Sequence, residues 1–227
     1  MVELQHIIPG CVIVLTGRAD GDISSETVLH QKMKDYGKTL IVPRLMHGSE
    51  RRVVTKHEMF QCDALITTDQ AHALGIRVAD CLPIVCSIKG KGLTVIHGGW
   101  RSLLQSIVPL TLADLCSTTM ADPQDIFVWI GPSIQQCCNT MQSLPIQSHF
   151  PEWKPYVHEK KEQYSVSLQD AVLDQCRTFG IPEDHLYSDG GCTYHETESY
   201  YSYRRWKLER KMTTGAPHFG VVAWMEE

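Results

Sequence analysis

Short apolar runs alternate with polar segments along the whole chain, and this pattern predicts a protein of mixed helices and strands. Seven runs rich in β-branched or aliphatic residues have the length of strands. They cover residues 12–15, 39–42, 64–67, 82–88, 93–96, 127–130 and 220–224. Several are apolar on both faces, so we expect helices or a second sheet to cover both sides of the predicted sheet.

Three longer segments have the features of helices, over residues 25–36, 102–120 and 167–179. The first is followed by Gly37 and the third by Gly180, and glycine is the residue best suited to the left-handed cap at a helix end. Ser167 and Asp170 have the spacing of an N-terminal capping motif, which predicts where the third helix begins.

The second helix has the same kind of start signal, because Ser102 and Gln105 have capping-box spacing. Pro109 follows within this segment and is expected to kink or divide the helix. The predicted strands and helices alternate irregularly, which favours an α+β fold over a doubly wound parallel sheet.

Composition describes an ordinary globular protein, with 227 residues, 43% of them hydrophobic and 21% charged. No repeat or linker divides the chain, so we expect a single domain over residues 1–227. A net charge of -5 argues against a nucleic-acid-binding surface. There is no signal-peptide pattern and no apolar run near the ~18 residues of a membrane span, which predicts no membrane partner and a cytoplasmic location.

Metal-binding residue types stand at the ends of predicted strands. Cys81 precedes the strand over residues 82–88, His97 follows the strand over residues 93–96, and His47 is followed by glycine as His97 is. Cys86 lies inside an apolar run and is interpreted as core. Two histidines and one cysteine leave the fourth position of Zn²⁺ open for water or substrate, as in catalytic zinc sites.

Zinc in such a site lowers the pKa of bound water to about 7 or polarises a substrate atom. The spacing alone leaves a second interpretation open, in which His97 is a core histidine and Cys81 a buried thiol. Arg101 precedes the predicted helix start, where free backbone N–H groups favour a phosphate or another anion.

Several motifs, taken in order, resemble the YfiH-like family, whose members are also called multicopper polyphenol oxidoreductases with a laccase domain. The central motifs are Ala79-Asp80-Cys81-Leu82-Pro83 and His97-Gly98-Gly99-Trp100-Arg101. The others lie at residues 62–68, 73–76, 130–134, 137–138, 192–193 and 200–205.

This resemblance implies a four-layer sandwich of mixed β-sheets flanked by helices, with His47, Cys81 and His97 as the ligands of Zn²⁺. It also implies phosphorolysis of adenosine, inosine or methylthioadenosine, and deamination of adenosine. The partners would be a small-molecule nucleoside and inorganic phosphate, in a monomer or homodimer. The chain departs from the family pattern at residues 45–46, 102 and 139–141, so the ligands are kept while the surroundings of the substrate differ.

We expect three catalytic residues beside the metal: Asp80, Arg101 and Cys138. Arg101 would bind phosphate or a developing negative charge, and Asp80, like Asp63, would orient a metal-bound imidazole or carry a proton, or else cap a turn. Because neighbouring cysteines do not easily bind one ion together, at most one of Cys137 and Cys138 is expected at the site.

The remaining candidates have weaker signals. Arg204 and Arg205 stand in an aromatic stretch that could stack a base, although such a run is more often an amphipathic strand or surface. Seven other histidines have no partner at ligand spacing and are expected in structural or solvent-exposed roles: His57, His72, His149, His158, His185, His195 and His218.

Three rival functions remain. The chain could be a metal-free cysteine hydrolase or amidase with Cys81 as nucleophile and His97 as base. It could be a degenerate metal-binding module, since the predicted substrate loops are altered. The oxidase function in the family's older name ranks last, because one thiolate and two imidazoles do not make a multi-copper cluster.

Overall fold

Two β-sheets stacked face to face form the centre of the molecule. The computed structural model describes residues 1–5, 7–56, 58–209 and 215–226. The first sheet has the strand order β1 (Val2–Gln5), β2 (Cys11–Leu15), β14 (Phe219–Met225), β6 (His72–Val78), β3 (Thr39–Ile41). The second has the order β13 (Leu186–Ser188), β9 (Phe127–Ile130), β7 (Leu82–Ile88), β8 (Gly92–Gly98), β5 (Ala64–Thr67), β4 (Arg51–Val53).

A small third sheet and the helices complete the fold. The third sheet has the order β10 (Thr140–Met141), β12 (Gln163–Val166), β11 (Val157–Lys160). The α-helices are α1 (Glu26–Met33), α2 (Trp100–Leu104), α3 (Ile107–Thr119), α4 (Leu168–Phe179) and α5 (Tyr203–Leu208). Both large sheets are mixed, because β3 runs parallel to β6, β4 to β5 and β13 to β9, while the other pairs are antiparallel.

Neighbouring residues of one strand show how the layers are built. In β14, Val221 packs between the two sheets, in a cluster that includes Trp129. Val222 faces the other way and packs with Leu29 of α1, because successive side chains of a strand point to opposite faces. The outer face of the second sheet is covered by α3 and α4. The layers are therefore helix, sheet, sheet and helix.

The predicted α+β class and the mixed sheets flanked by helices are confirmed. All seven predicted strands are present within about one or two residues, which is the usual disagreement at element ends. The first predicted helix ends in a short 3₁₀ turn before Gly37, which has φ 68°. The third begins at Ser167, whose hydroxyl accepts from the Asp170 backbone, and ends at Gly180, with φ 104°.

The predicted start of the second helix was wrong, while its predicted division is present just before Pro109. The helix begins at Trp100, after the N-cap Gly99, so Ser102 lies inside α2. The break falls at Ser106, which has φ 60°, and Pro109 occupies the first turn of α3. Proline fits there because the N–H groups of the first turn have no helical partner. Over the described ranges, no helix has the length and apolar character required to span a membrane.

Candidate metal centre

The ends of two adjacent strands and one loop carry the predicted metal ligands. Cys81 directly precedes β7, His97 lies near the end of β8, and His47 lies in the loop between β3 and β4. Strands β7 and β8 are antiparallel neighbours, with Pro83 opposite His97. This register places the start of β7 beside the end of β8, so Cys81 and His97 meet at the same end of the second sheet.

The structure brings His47, Cys81 and His97 together. One nitrogen of each imidazole and the Cys81 sulfur all lie within 4.8 Å of one another. The two rings meet edge to face, with centroids 4.9 Å apart. His97 is buried, Cys81 is half-buried and His47 is exposed, so the cluster opens to solvent on the His47 side. We call these three residues the triad.

A buried carboxylate holds two members of the triad in place. Asp63 has no exposed surface, and its Oδ1 accepts from His97 Nδ1 at 2.8 Å and from the His47 backbone at 2.9 Å. Its Oδ2 accepts from the backbone of Gly48 at 2.9 Å and of Met46 at 3.2 Å. With Nδ1 of His97 donating to Asp63, Nε2 is the nitrogen left to bind a metal.

Gly99 leaves free space against all three triad side chains. A Cβ atom at this position would lie 3.2 Å from His97 Cε1, 3.3 Å from His47 Nδ1 and 3.6 Å from Cys81 Sγ. A side chain at this position would therefore lie directly against all three triad side chains.

The metal-free triad has perturbed ionisation. Burial opposes the charged form of His97, but Cys81 and the hydrogen bond to Asp63 outweigh it and raise the pKa of His97 to about 9. His47 is exposed as a whole residue, but the part of it that faces the cluster is shielded from water, and this desolvation and the neighbouring His97 lower its pKa, with Arg101 lowering it further. His47 therefore favours the neutral form that metal binding needs. His97 becomes available for metal binding once a cation replaces its proton.

Asp80 lies beside the triad but faces away into a hydrogen-bonded turn. Its Oδ1 accepts from the Thr193 hydroxyl at 2.7 Å, and its Oδ2 accepts from the Arg204 backbone at 2.7 Å. The Asp80 backbone has φ 84°, an uncommon conformation for a residue with a side chain. Asp80 thus ties the turn that carries Cys81 to residues more than a hundred positions later.

Arg101 is exposed and stacks over the Trp100 ring, with 4.4 Å between the guanidinium carbon and the ring centroid. Its charge reaches the triad, as its effect on the pKa of His47 shows. The anion pocket expected at a helix starting at Ser102 is not formed there, because Ser102 is buried within α2.

Cys138 belongs to a second cluster. It lies with Cys137, Cys192 and His195, and one ligand atom of each lies within 4.8 Å of the others. That at most one of Cys137 and Cys138 lines the predicted metal site stays a prediction, and the structure places their sulfurs 3.6 Å apart in the second cluster. The expectation that His195 lacks ligand partners is wrong, since its Nε2 lies 3.2 Å from the Cys138 sulfur. The Cys-x-x-His spacing of residues 192–195 was the signal that could have revealed them.

The two arginines of the aromatic stretch support loops. Arg204 donates to the Thr140 carbonyl. Arg205 donates to the carbonyls of Thr193 at 2.9 Å and Tyr200 at 2.5 Å. The stretch itself is the short helix α5, not a strand.

Some of the remaining histidines have structural contacts. The imidazole Nδ1 of His72 lies 3.1 Å from the Thr67 hydroxyl, and His185 stacks on Phe127 with ring centroids 3.8 Å apart. His57 lies outside the described residues.

Comparison with known proteins identifies the family to which the chain belongs. A family model described as multi-copper polyphenol oxidoreductase laccase matches residues 24–224. Purine nucleoside phosphorylase YlmD of Geobacillus stearothermophilus is 28% identical over 177 residues, which are 70% of this chain and 65% of the relative. A purine nucleoside phosphorylase of Bacteroides thetaiotaomicron is 26% identical over 203 residues, covering 80% of this chain and 73% of the relative.

A solved structure shares the fold. The crystal structure of YlmD from Geobacillus stearothermophilus superimposes with a TM-score of 0.82 at 22% identity, covering 96% of this chain and 93% of that chain. In sequence, however, the matched part of this chain spans slightly less than two thirds of the YlmD relative.

Proposed function

The chain belongs to the multi-copper polyphenol oxidoreductase laccase family, and on that premise we propose that it is a zinc-dependent enzyme that cleaves purine nucleosides with phosphate. The name of this activity comes from the relatives, which are called purine nucleoside phosphorylases. The observation that carries the proposal in this chain is the convergence of the triad at an open end of the second sheet.

The triad residues fit a zinc ion. Two imidazole nitrogens and one thiolate are a donor set that zinc uses in catalytic sites with one position left open. The free space at Gly99 faces all three donors. When bound, zinc would supply a positive charge that polarises a substrate atom or water.

The protein's own residues would position the reactants. Asp63 fixes the ring of His97 and the backbone around His47 through four hydrogen bonds. The exposed guanidinium of Arg101 would bind phosphate or the negative charge that develops as the glycosidic bond breaks. Asp80 would act as a positioning residue, because both of its oxygens hold the turn that carries Cys81. Catalytic roles for Asp80, Arg101 and Cys138 stay predictions.

A second candidate uses the same pair without a metal. The Cys81 sulfur hydrogen-bonds with His97, and its charge is among the interactions that raise the pKa of His97 to about 9. A thiolate beside an imidazolium is the arrangement of cysteine nucleophiles, so a metal-free hydrolase with Cys81 attacking and His97 transferring the proton is the alternative.

Elemental analysis combined with a product assay tests both candidates. Adenosine, inosine and methylthioadenosine are incubated with the protein, with and without inorganic phosphate, and products are separated by mass spectrometry. We expect free base and the corresponding ribose 1-phosphate, which from methylthioadenosine carries the 5-methylthio group, only when phosphate is present. The zinc of the triad and the activity should be lost together in Cys81→Ser and His47→Ala. Inosine formed from adenosine would measure deamination in the same assay.

Two outcomes would contradict the proposal. Full phosphorolysis by zinc-free protein would show that the reaction does not need the metal. Hydrolysis of amides or esters by metal-free wild type, with this activity abolished in Cys81→Ser, would favour the cysteine hydrolase.

Arg101→Lys is the matched test of the phosphate role. Since lysine keeps the charge but loses the planar fork, we expect a raised KM for phosphate and unchanged zinc content.

A further inference from the structure

We propose that Cys137, Cys138, Cys192 and His195 form a second, structural zinc site, separate from the triad. Three thiols and one imidazole are a donor set of closed structural zinc sites, in which all four positions are filled by protein. Cys137 and Cys138 lie in one loop and Cys192 and His195 in another, and two neighbouring strands of the second sheet bring these loops together, so the site is a product of the fold.

The distances between donor atoms match tetrahedral geometry. With zinc–sulfur bonds of about 2.3 Å, two sulfur ligands on a tetrahedron are about 3.8 Å apart. Cys137 Sγ lies 3.6 Å from Cys138 Sγ and 3.8 Å from Cys192 Sγ. His195 Nε2 lies 3.2 Å from Cys138 Sγ, against about 3.6 Å for a nitrogen–sulfur edge of a zinc tetrahedron, and His195 Nδ1 lies 3.8 Å from Cys137 Sγ.

The backbone around Cys192 suits a metal ligand. Backbone N–H groups of Gln135, Tyr194 and His195 donate to the sulfur of Cys192, and such hydrogen bonds orient metal ligands. Zinc with three thiolates and a neutral imidazole carries one net negative charge. The guanidinium of Arg205 lies nearby, donating to the Tyr194 carbonyl at 2.7 Å. The thiol protons pass to solvent when the ion binds.

The location indicates what the ion would stabilise. Cys137 and Cys138 follow β9, and Cys192 and His195 follow β13, its parallel neighbour. A backbone bridge already joins Ser133 and Cys192. The ion would lock these two loops together next to Thr193, whose hydroxyl donates to Asp80. The second site would therefore brace the turn that carries Cys81.

The test measures zinc per chain in protein purified with a reducing agent. Wild type is expected to hold two zinc ions, and Cys137→Ser and His195→Ala one each. Because Cys137 and His195 are exposed, these variants leave the core packing intact, and far-UV circular dichroism checks their fold. Cys116→Ser, which removes a thiol outside both clusters, is the matched control and keeps both ions.

Cys81→Ser empties the triad and isolates the second site. The zinc remaining in this variant should show a sulfur-dominated X-ray absorption shell at about 2.3 Å. A wild type with one zinc, lost in Cys81→Ser and retained in His195→Ala, would overturn the inference. So would a disulfide that joins Cys137 to a neighbour and withstands the reducing agent. Because each site is emptied by its own variants, failure of the proposed function is distinguishable from failure of the proposal for a second zinc site.

Discussion

At the scale of single residues, Gly99 can be tested without disturbing the backbone. Its φ of -70° and ψ of 149° suit any residue, so Gly99→Ala adds only a methyl group against the triad. We expect a change in the free energy of unfolding of at most about 1 kcal/mol, with kcat/KM reduced roughly 100-fold through displaced ligands. Steady-state kinetics and urea unfolding measure the two quantities.

The matched control for this variant is Gly215→Ala. An added Cβ at Gly215 meets no atom of the described residues within 4 Å, so this variant should keep both activity and zinc. Wild-type kcat/KM in Gly99→Ala would show that substrate does not approach the triad through this space.

Asp63 supports a second prediction at the same scale. In Asp63→Asn, an amide N–H₂ replaces one oxygen that accepts from backbone N–H groups, so donors would face donors in a buried site. We expect zinc affinity to fall by roughly 10- to 100-fold and the free energy of unfolding to fall by about 1–3 kcal/mol. Competition with a chromogenic chelator and denaturant titration measure these changes.

Asp174→Asn is the control for the carboxylate. Asp174 lies on α4 and interacts with Tyr156 and Arg177 at the surface, so this variant should bind zinc as wild type does. Equal zinc affinity in Asp63→Asn and wild type would mean that Asp63 does not orient the His97 ring.

Residue patterns explain why the triad could be predicted as a whole, whereas the Cys-x-x-His spacing of residues 192–195 reveals only half of the second cluster. Cys81 and His97 stand at the ends of apolar strands, and strand ends are visible in a sequence. His195 meets Cys138 across 57 positions of chain, through two irregular loops whose course depends on tertiary contacts. Nor could the sequence show that both oxygens of Asp80 are taken up by Thr193 and Arg204.

At the scale of elements, the start of α4 gives a stability prediction. The Ser167 hydroxyl accepts from the Asp170 backbone at 3.4 Å and donates to the Asp170 carboxylate at 2.6 Å. Ser167→Ala removes this cap and should lower the free energy of unfolding by about 1 kcal/mol. Ser117→Ala, at an exposed position within α3, is the control and should change it by less than about 0.5 kcal/mol. Equal denaturation midpoints for the two variants would contradict the role of the cap.

Strands and helices with one continuous hydrophobic pattern could be predicted from the sequence. Elements whose residues are determined by packing against neighbouring elements could not. The apolar run of β7 identifies it as a buried strand. Strand β6 lies between β14 and β3, yet Gly75 and Arg77 interrupt its apolar pattern. A Cβ atom at Gly75 would lie 3.2 Å from the Leu40 and Val42 side chains, so the strand packs tightly at this glycine. Helix α5 was missed because its aromatic residues are more typical of strands.

At the scale of the whole molecule, the layered core predicts which thiols react. Burial raises the pKa of Cys11, Cys62 and Cys176 to about 12, and it raises the pKa of Cys86 as well. Since the thiolate is the reactive form, iodoacetamide at pH 8 should leave these four unlabelled in the folded protein. Mass spectrometry of peptides measures the labelling, and unfolding in urea should expose all four. Rapid labelling of Cys176 in the native state would show that the layer between α4 and the second sheet opens locally.

Strand β14, inserted between β2 and β6, has a consequence for biosynthesis. Its neighbours β2 and β6 span residues 11–15 and 72–78, so they are translated long before β14, which spans residues 219–225. During translation the first sheet therefore remains two separate strand pairs until about residue 225 has left the ribosome. All three triad residues are made within the first 97 positions, so on a nascent chain they are exposed to dissolved ions and oxidants long before the scaffold around them closes.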